Sequence, residues 1–138
     1  MKSILKKLNV FFQTEILVLN LPSEFEKNFN KIKNVEIFES LVQLNKFSYG
    51  ILFTKSIENL KNQLGTLLPK IEDDGELWVV FPTKTSGIQT DICTKYNWHL
   101  LRNNCFEIVD EKQINNNWKA KRFRKLEYTK WKELSKIA

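Results

Sequence analysis

Residues that hold metals are scarce in this chain. It has two cysteines, Cys93 and Cys105, at no CxxC spacing, and one histidine, His99. Zinc, haem and iron-sulfur centres need more ligands than that, so no metal is expected and both thiols are expected to be buried and reduced. Long apolar runs are missing as well. The opening stretch, MKSILKKLNVFF, is too short in its apolar part for a signal peptide and has no small residues at a cleavage position. Nothing approaches the length needed to span a bilayer, so a cytoplasmic protein that does not enter membranes is expected. Internal repeats, low-complexity tracts and interdomain linkers are also lacking, and residues 1–138 read as a single domain.

What is present is ordinary for a globular domain: 42% hydrophobic and 28% charged residues. The net charge of +6 is confined to one place. Residues 119–138 hold 8 basic and 2 acidic side chains, while residues 1–118 hold equal numbers of each sign. A basic tail segment attracts phosphates, nucleic acid or anionic lipid, and it equally serves as a solvated face. Aromatics arranged for base stacking are absent from it: Phe123 is assigned to the core, and Tyr128 and Trp131 to the docking stripe of a final helix. Only weak, salt-sensitive, sequence-independent nucleic-acid binding is therefore expected.

Short apolar runs at residues 16–19, 35–38, 47–53 and 77–81 read as buried strands, separated by helical patterns. PSEFEKNFNKI spaces Phe25, Phe29 and Ile32 along one face, and SIENLKNQLGTLLP does the same with Ile57, Leu60, Leu64, Leu67 and Leu68. Strand-helix alternation of this kind predicts βαβ units and a parallel sheet. A helix is expected over residues 90–103, capped by Thr90, with Ile92, Tyr96 and Leu100 inward. The pair Asp73 and Asp74, before Gly75, reads as a turn into a strand. FEIVDEKQI reads as a charged edge strand, NNN at residues 115–117 as a hairpin turn, and WKAKRFRKL as the antiparallel partner. A closing helix, YTKWKELSKIA, would line up Tyr128, Trp131, Leu134 and Ile137.

Two motifs stand out: LWVVFPTKTSGIQTD and, later, WKAKRF. The order of elements resembles the Rossmann-like fold of class I methyltransferases, in which the last strand slips in beside the fifth. One strand-helix unit is missing, because little chain separates residues 35–38 from 47–53. Together the two motifs, over residues 15–124, are similar to a family of small bacterial proteins of unknown function with this fold. That family is marked by a Trp-containing strand followed by Pro, Lys, Ser and Thr-Asp, and by Trp-x-Ala-x-Arg-Phe. The chain departs from it at Thr83, where a second lysine is usual, at Lys119 and Lys121, which replace a small and an apolar residue, and at Asn115, often Asp. The resemblance implies an α/β, three-layer, mostly parallel sheet with a C-terminal antiparallel hairpin.

S-adenosylmethionine is the cofactor that this resemblance implies. Its site in this fold needs glycines after the first strand, for close backbone approach, and an acidic residue after the second. Here the first turn reads VLNLPSEFEK and has no glycine, and Leu21 and Pro22 place side chains where bare backbone is needed. Glu39 is the acid nearest the second strand's end. No cofactor and no catalytic residue are assigned: Thr85 and Ser86 have no histidine close in sequence, and His99 sits inside a helical pattern.

In open α/β sheets, ligands bind at the carboxyl ends of the strands. The loop after Phe81 and the strand that begins at Trp118 meet at that end. Lys84, Ser86, Asp91, Trp118 and Arg122 are thus the candidate ligand-binding residues, with Asn20 and Lys55 farther along the rim. They suit a phosphate or carboxylate. Each also has a sufficient local role in caps, turns or packing, which makes the loop a structural latch on the competing view. The reading is a non-catalytic binding domain for a small anionic ligand or a protein partner. A divergent S-adenosylmethionine-dependent methyltransferase is the alternative, and a weak nucleic-acid-binding module the second.

Overall fold

In the computed structural model, residues 3–92, 96 and 98–129 are described. Six strands form one sheet: β1 (Glu15–Leu19), β2 (Glu36–Phe38), β3 (Phe47–Phe53), β4 (Ile71–Pro82), β5 (Phe106–Gln113) and β6 (Trp118–Lys125). Their order is β2-β1-β3-β4-β6-β5. The pairs β1–β2, β1–β3 and β3–β4 are parallel, and β6 is antiparallel to both β4 and β5. The last strand has thus inserted between β4 and the strand before it. Between β2 and β3 lies only a 3-10 turn, Leu41–Gln43, where a full strand-helix unit would otherwise fit.

Alternating side chains divide the core into two layers, as the period of two requires. On one face, Ile16, Val18, Ile51, Phe53, Trp78 and Val80 pack under α1 (Ile4–Lys7) and α2 (Glu26–Asn30). On the other, Leu17, Leu19, Leu52, Leu77, Val79 and Phe81 pack under α3 (Ile57–Leu67) and α4 (His99–Arg102). Helix α3 starts where its sequence signals: the Ser56 hydroxyl accepts from the Asn59 N–H, and Leu60, Leu64 and Leu67 point inward.

The amino-terminal segment, which has no strong sequence signal, is part of the core. Ile4, Leu5, Leu8 and Val10 are buried, the Tyr49 hydroxyl donates to the Leu8 carbonyl at 2.5 Å, and Lys7 Nζ donates to the Gln113 and Ile114 carbonyls.

Three expectations need correction. The turn foreseen at Asp73 and Asp74 is instead part of a longer β4, which bulges against β3 between the pairs Phe47–Ile71 and Tyr49–Glu76. Gly75 is needed there, because a Cβ would lie 2.8 Å from the Glu72 carbonyl oxygen and 2.6 Å from Ile71 Cγ1. Of the helix foreseen over 90–103, the described residues are helical only at α4, and residues 93–95 and 97 lie outside the described residues. Thr90 Oγ1 accepts from the Ile92 N–H in a tight turn, and Trp98 adopts a left-handed backbone with φ 58° that no helix accommodates. The inward positions were nonetheless correct: Ile92 is buried, and Tyr96 and Leu100 pack against the same core. Cys105 is exposed, at a left-handed position between α4 and β5, and not buried as expected. Cys93 and residues 130–138 of the proposed closing helix lie outside the described residues, and Tyr128 ends a 3-10 turn. Among the described residues no helix is long and apolar enough to cross a membrane.

Candidate functional site

The sheet order reverses between β1 and β3, and the crevice at their carboxyl ends is where an open α/β sheet takes its ligand. A cavity of about 360 Å³ lies there, lined in part by Asn20, Leu21, Pro22, Thr54, Lys55 and Trp118. The chain's own side chains close much of this crevice. Asn20 sits at φ 60° directly after β1, and its amide donates to the Phe53 carbonyl at 3.1 Å and to Gln63 Oε1 at 2.6 Å, tying β1 to β3 and α3. Leu21 packs against the core layer beneath. The Trp118 indole is only 1% exposed, stands edge-on to Phe25 and Phe53 at about 6 Å, and donates its N–H to Glu24 at 2.6 Å. Glu39 is exposed just past β2.

The five candidate residues do not form one cluster. Lys84 is exposed on the rim. Ser86 serves its own turn, with its hydroxyl accepting from the Ile88 N–H, next to Gly87 at φ 79°. Asp91 Oδ1 accepts from the Ile57 N–H at 2.8 Å, so it caps α3 and not a helix of its own. Trp118 is core on the α2 face. Arg122 pairs with Trp78, four positions below the Pro82–Trp118 pair at the rim, and its guanidinium lies 3.5 Å from Glu76. Glu76 also accepts from the Trp78 indole at 2.6 Å. Burial pushes the nearby Tyr49 hydroxyl well above its ordinary pKa, with Glu76 adding to the rise and Arg122 opposing it.

The contact between loop and hairpin is made by a residue that sequence reasoning passed over. The Thr83 N–H donates to the Asn117 carbonyl at 2.8 Å and its hydroxyl to the Asn116 carbonyl at 2.9 Å. Asn115 Oδ1 accepts from the N–H groups of Asn117 and Trp118 and holds the turn.

Beside this latch, on the α4 face of the rim, lies a larger groove of about 750 Å³. Its charged walls are Lys84, Arg102, Lys119, Lys121 and Glu111. Its floor is Phe81, Ile92, Tyr96, Trp98 and Ile108. Phe81 and Trp98 meet at 5.1 Å, and Tyr96 and Trp98 at 4.9 Å. A bulge between Ile108 and Asp110 shifts the alternation of β5, which brings Glu111 and Gln113 onto the face of Ile108. Glu111 lies 3.7 Å from Lys119 and 3.5 Å from Lys121. Desolvation raises the Tyr96 pKa, the Leu100 backbone opposes this and Asp91 adds to it; the hydroxyl makes no hydrogen bond of acceptable geometry. The alternation of WKAKRF was the available signal here, since it puts Lys119 and Lys121 on one face and Arg122 and Arg124 on the other.

Most of the basic strand is neutralised. Besides the pairs with Glu111 and Glu76, Arg124 grips Asp74 in a bidentate pair at 2.7 and 2.6 Å. Among the described residues no group of three or more His, Cys, Asp or Glu could hold a metal ion.

No protein-family model and no curated protein matches the chain. Solved structures do. A type 11 methyltransferase from Sulfolobus solfataricus is 13% identical, with a TM-score of 0.53 over 88% of this chain and 77% of that one. The N-methyltransferase NodS from Bradyrhizobium japonicum WM9 is 8% identical, with a TM-score of 0.52 over 88% of this chain and 92% of that one. At such identities the likeness is one of fold: a shortened Rossmann-like α/β sheet, methyltransferase-like in its arrangement.

Proposed function

We propose that this chain is a methyltransferase-fold domain that works by binding and not by methyl transfer, and that its ligand is a small anion held at the carboxyl-end rim. The side chains that narrow the crevice between β1 and β3 carry this reading. S-adenosylmethionine needs backbone there that it can approach closely, and this chain supplies Leu21 and Pro22 side chains, an amide already committed to Phe53 and Gln63, and no glycine. The residues present do not fit the cofactor. The groove beside Lys84 offers more than the crevice: about 750 Å³ against about 360 Å³, and Lys84, Arg102, Lys119 and Lys121 where the described residues of the crevice supply Lys55.

Titration calorimetry with S-adenosylmethionine and S-adenosylhomocysteine tests the reading. No saturable heat is expected up to millimolar concentration. Binding in the micromolar range would overturn it and put a divergent methyltransferase in its place.

A further inference from the structure

We infer that the groove between the loop after β4 and the β5–β6 hairpin recognises a phosphate monoester that carries a flat apolar group. This rests on the proposal that the chain binds an anion at the rim, and adds the ligand's chemistry. Charge selects the head group. Of the four cations that line the groove, Lys119 and Lys121 share a single carboxylate, Glu111, and Arg102 is paired at 3.4 Å with Glu107. Lys84 has no ion-pair partner among the described residues. Among the described residues the four cations, set against Glu111 and the Glu107 that pairs with Arg102, leave an excess of two, which suits a phosphate monoester carrying about −1.5 to −2 at neutral pH. A carboxylate would leave positive charge uncompensated.

The body of the ligand follows from the floor. Phe81, Ile92 and Trp98 are nearly buried beneath the floor, and Tyr96 and Ile108 are its half-exposed apolar surface, which inorganic phosphate would leave to water along with most of about 750 Å³. A flat apolar group covers such a floor and gains from being removed from water. A polymer fits less well. The arginines of β6 face the opposite side and are held by Glu76 and Asp74, so they do not extend the charge of this groove into a track along the strand.

The test uses the full chain with phenyl phosphate, inorganic phosphate and phenol as probes, titrated by calorimetry and by amide chemical shifts. Phenyl phosphate is expected to bind at least about tenfold more tightly than either other probe, a difference of about 1.4 kcal/mol. Lys84→Ala and Lys119→Ala, both at exposed or half-exposed side chains, are each expected to weaken it by about threefold to tenfold with an unchanged circular dichroism spectrum. If inorganic phosphate binds as tightly as phenyl phosphate and depends on Lys84, the apolar requirement is wrong while anion binding stands. Phenol binding as tightly as phenyl phosphate overturns the phosphate requirement. Phenyl phosphate binding that ignores both lysine substitutions, or no binding of any probe, overturns the site itself. S-adenosylhomocysteine binding is a separate result and bears on the crevice between β1 and β3 alone.

Discussion

Replacing Trp118 by alanine removes the largest side chain that shuts the crevice, and its effect is calculable from what the indole touches. The ring is 1% exposed and lies within about 6 Å of Phe25 and Phe53. Truncating a buried aromatic of this size costs about 3–5 kcal/mol. Within that range the N–H bond to Glu24 accounts for about 1 kcal/mol, and no more, because Glu24 is exposed and regains water when the indole is gone. The expected loss is about 4 kcal/mol, a large share of the 5–15 kcal/mol typical of a domain. Trp118→Phe keeps much of the packing and is expected to lose about 1.5 kcal/mol. Urea unfolding followed by far-ultraviolet circular dichroism reads both values. With a slope of about 2 kcal/mol per molar, the alanine variant should unfold about 2 M earlier than the parent. A loss below about 0.5 kcal/mol, the figure for exposed positions, would show that the indole is not buried as described. A phenylalanine variant as unstable as the alanine one would show that the N–H bond, and not packing, holds the residue.

Asn20→Gly keeps a left-handed backbone available and should lose about 1–2 kcal/mol with its two hydrogen bonds, whereas Asn20→Ala should lose about 1 kcal/mol more from backbone strain; an alanine variant as stable as the glycine variant contradicts the φ 60° placement. Because the Tyr49 pKa is raised in the folded state, the stability it contributes is complete below about pH 10, the value in the unfolded chain, and is lost as pH rises through the folded value. Urea midpoints should therefore fall steeply above pH 10, and Tyr49→Phe should flatten that fall at the cost of the hydroxyl bond to Leu8; an unchanged slope in this variant rules Tyr49 out. Fluorescence anisotropy with two unrelated oligonucleotides should show equal, weak binding that vanishes by about 0.2 M salt, since most cations of β6 are already paired; sub-micromolar, sequence-selective binding at that salt would make nucleic acid the ligand.

The order of strands and helices was legible along the chain because buried strands and amphipathic helices write their periods locally. Residues 47–53 coincide with β3, Ser56 caps α3, Leu60, Leu64 and Leu67 form its inner face, and NNN turns the hairpin. The absence of glycine after β1 was equally plain, and with it the loss of the cofactor's backbone approach. Where side chains separated in sequence meet was not legible. Asp91 is 34 positions from the amide it caps, Trp118 is 94 from Glu24, and Thr83 is 33 from the carbonyl it engages. Such pairings depend on which strand lies beside which and on the phase of each bulge, and neither leaves a periodic trace. Among the described residues the helix foreseen from Thr90 is absent before His99, where a tight turn at Ile92 and the left-handed backbone of buried Trp98 outweigh a weak local preference. Sequence alone determined that this is a βαβ chain without a glycine-rich loop. Only the tertiary structure decided that Lys84, in the loop after β4, shares a groove with Lys119 and Lys121, because that depends on which strand lies beside which.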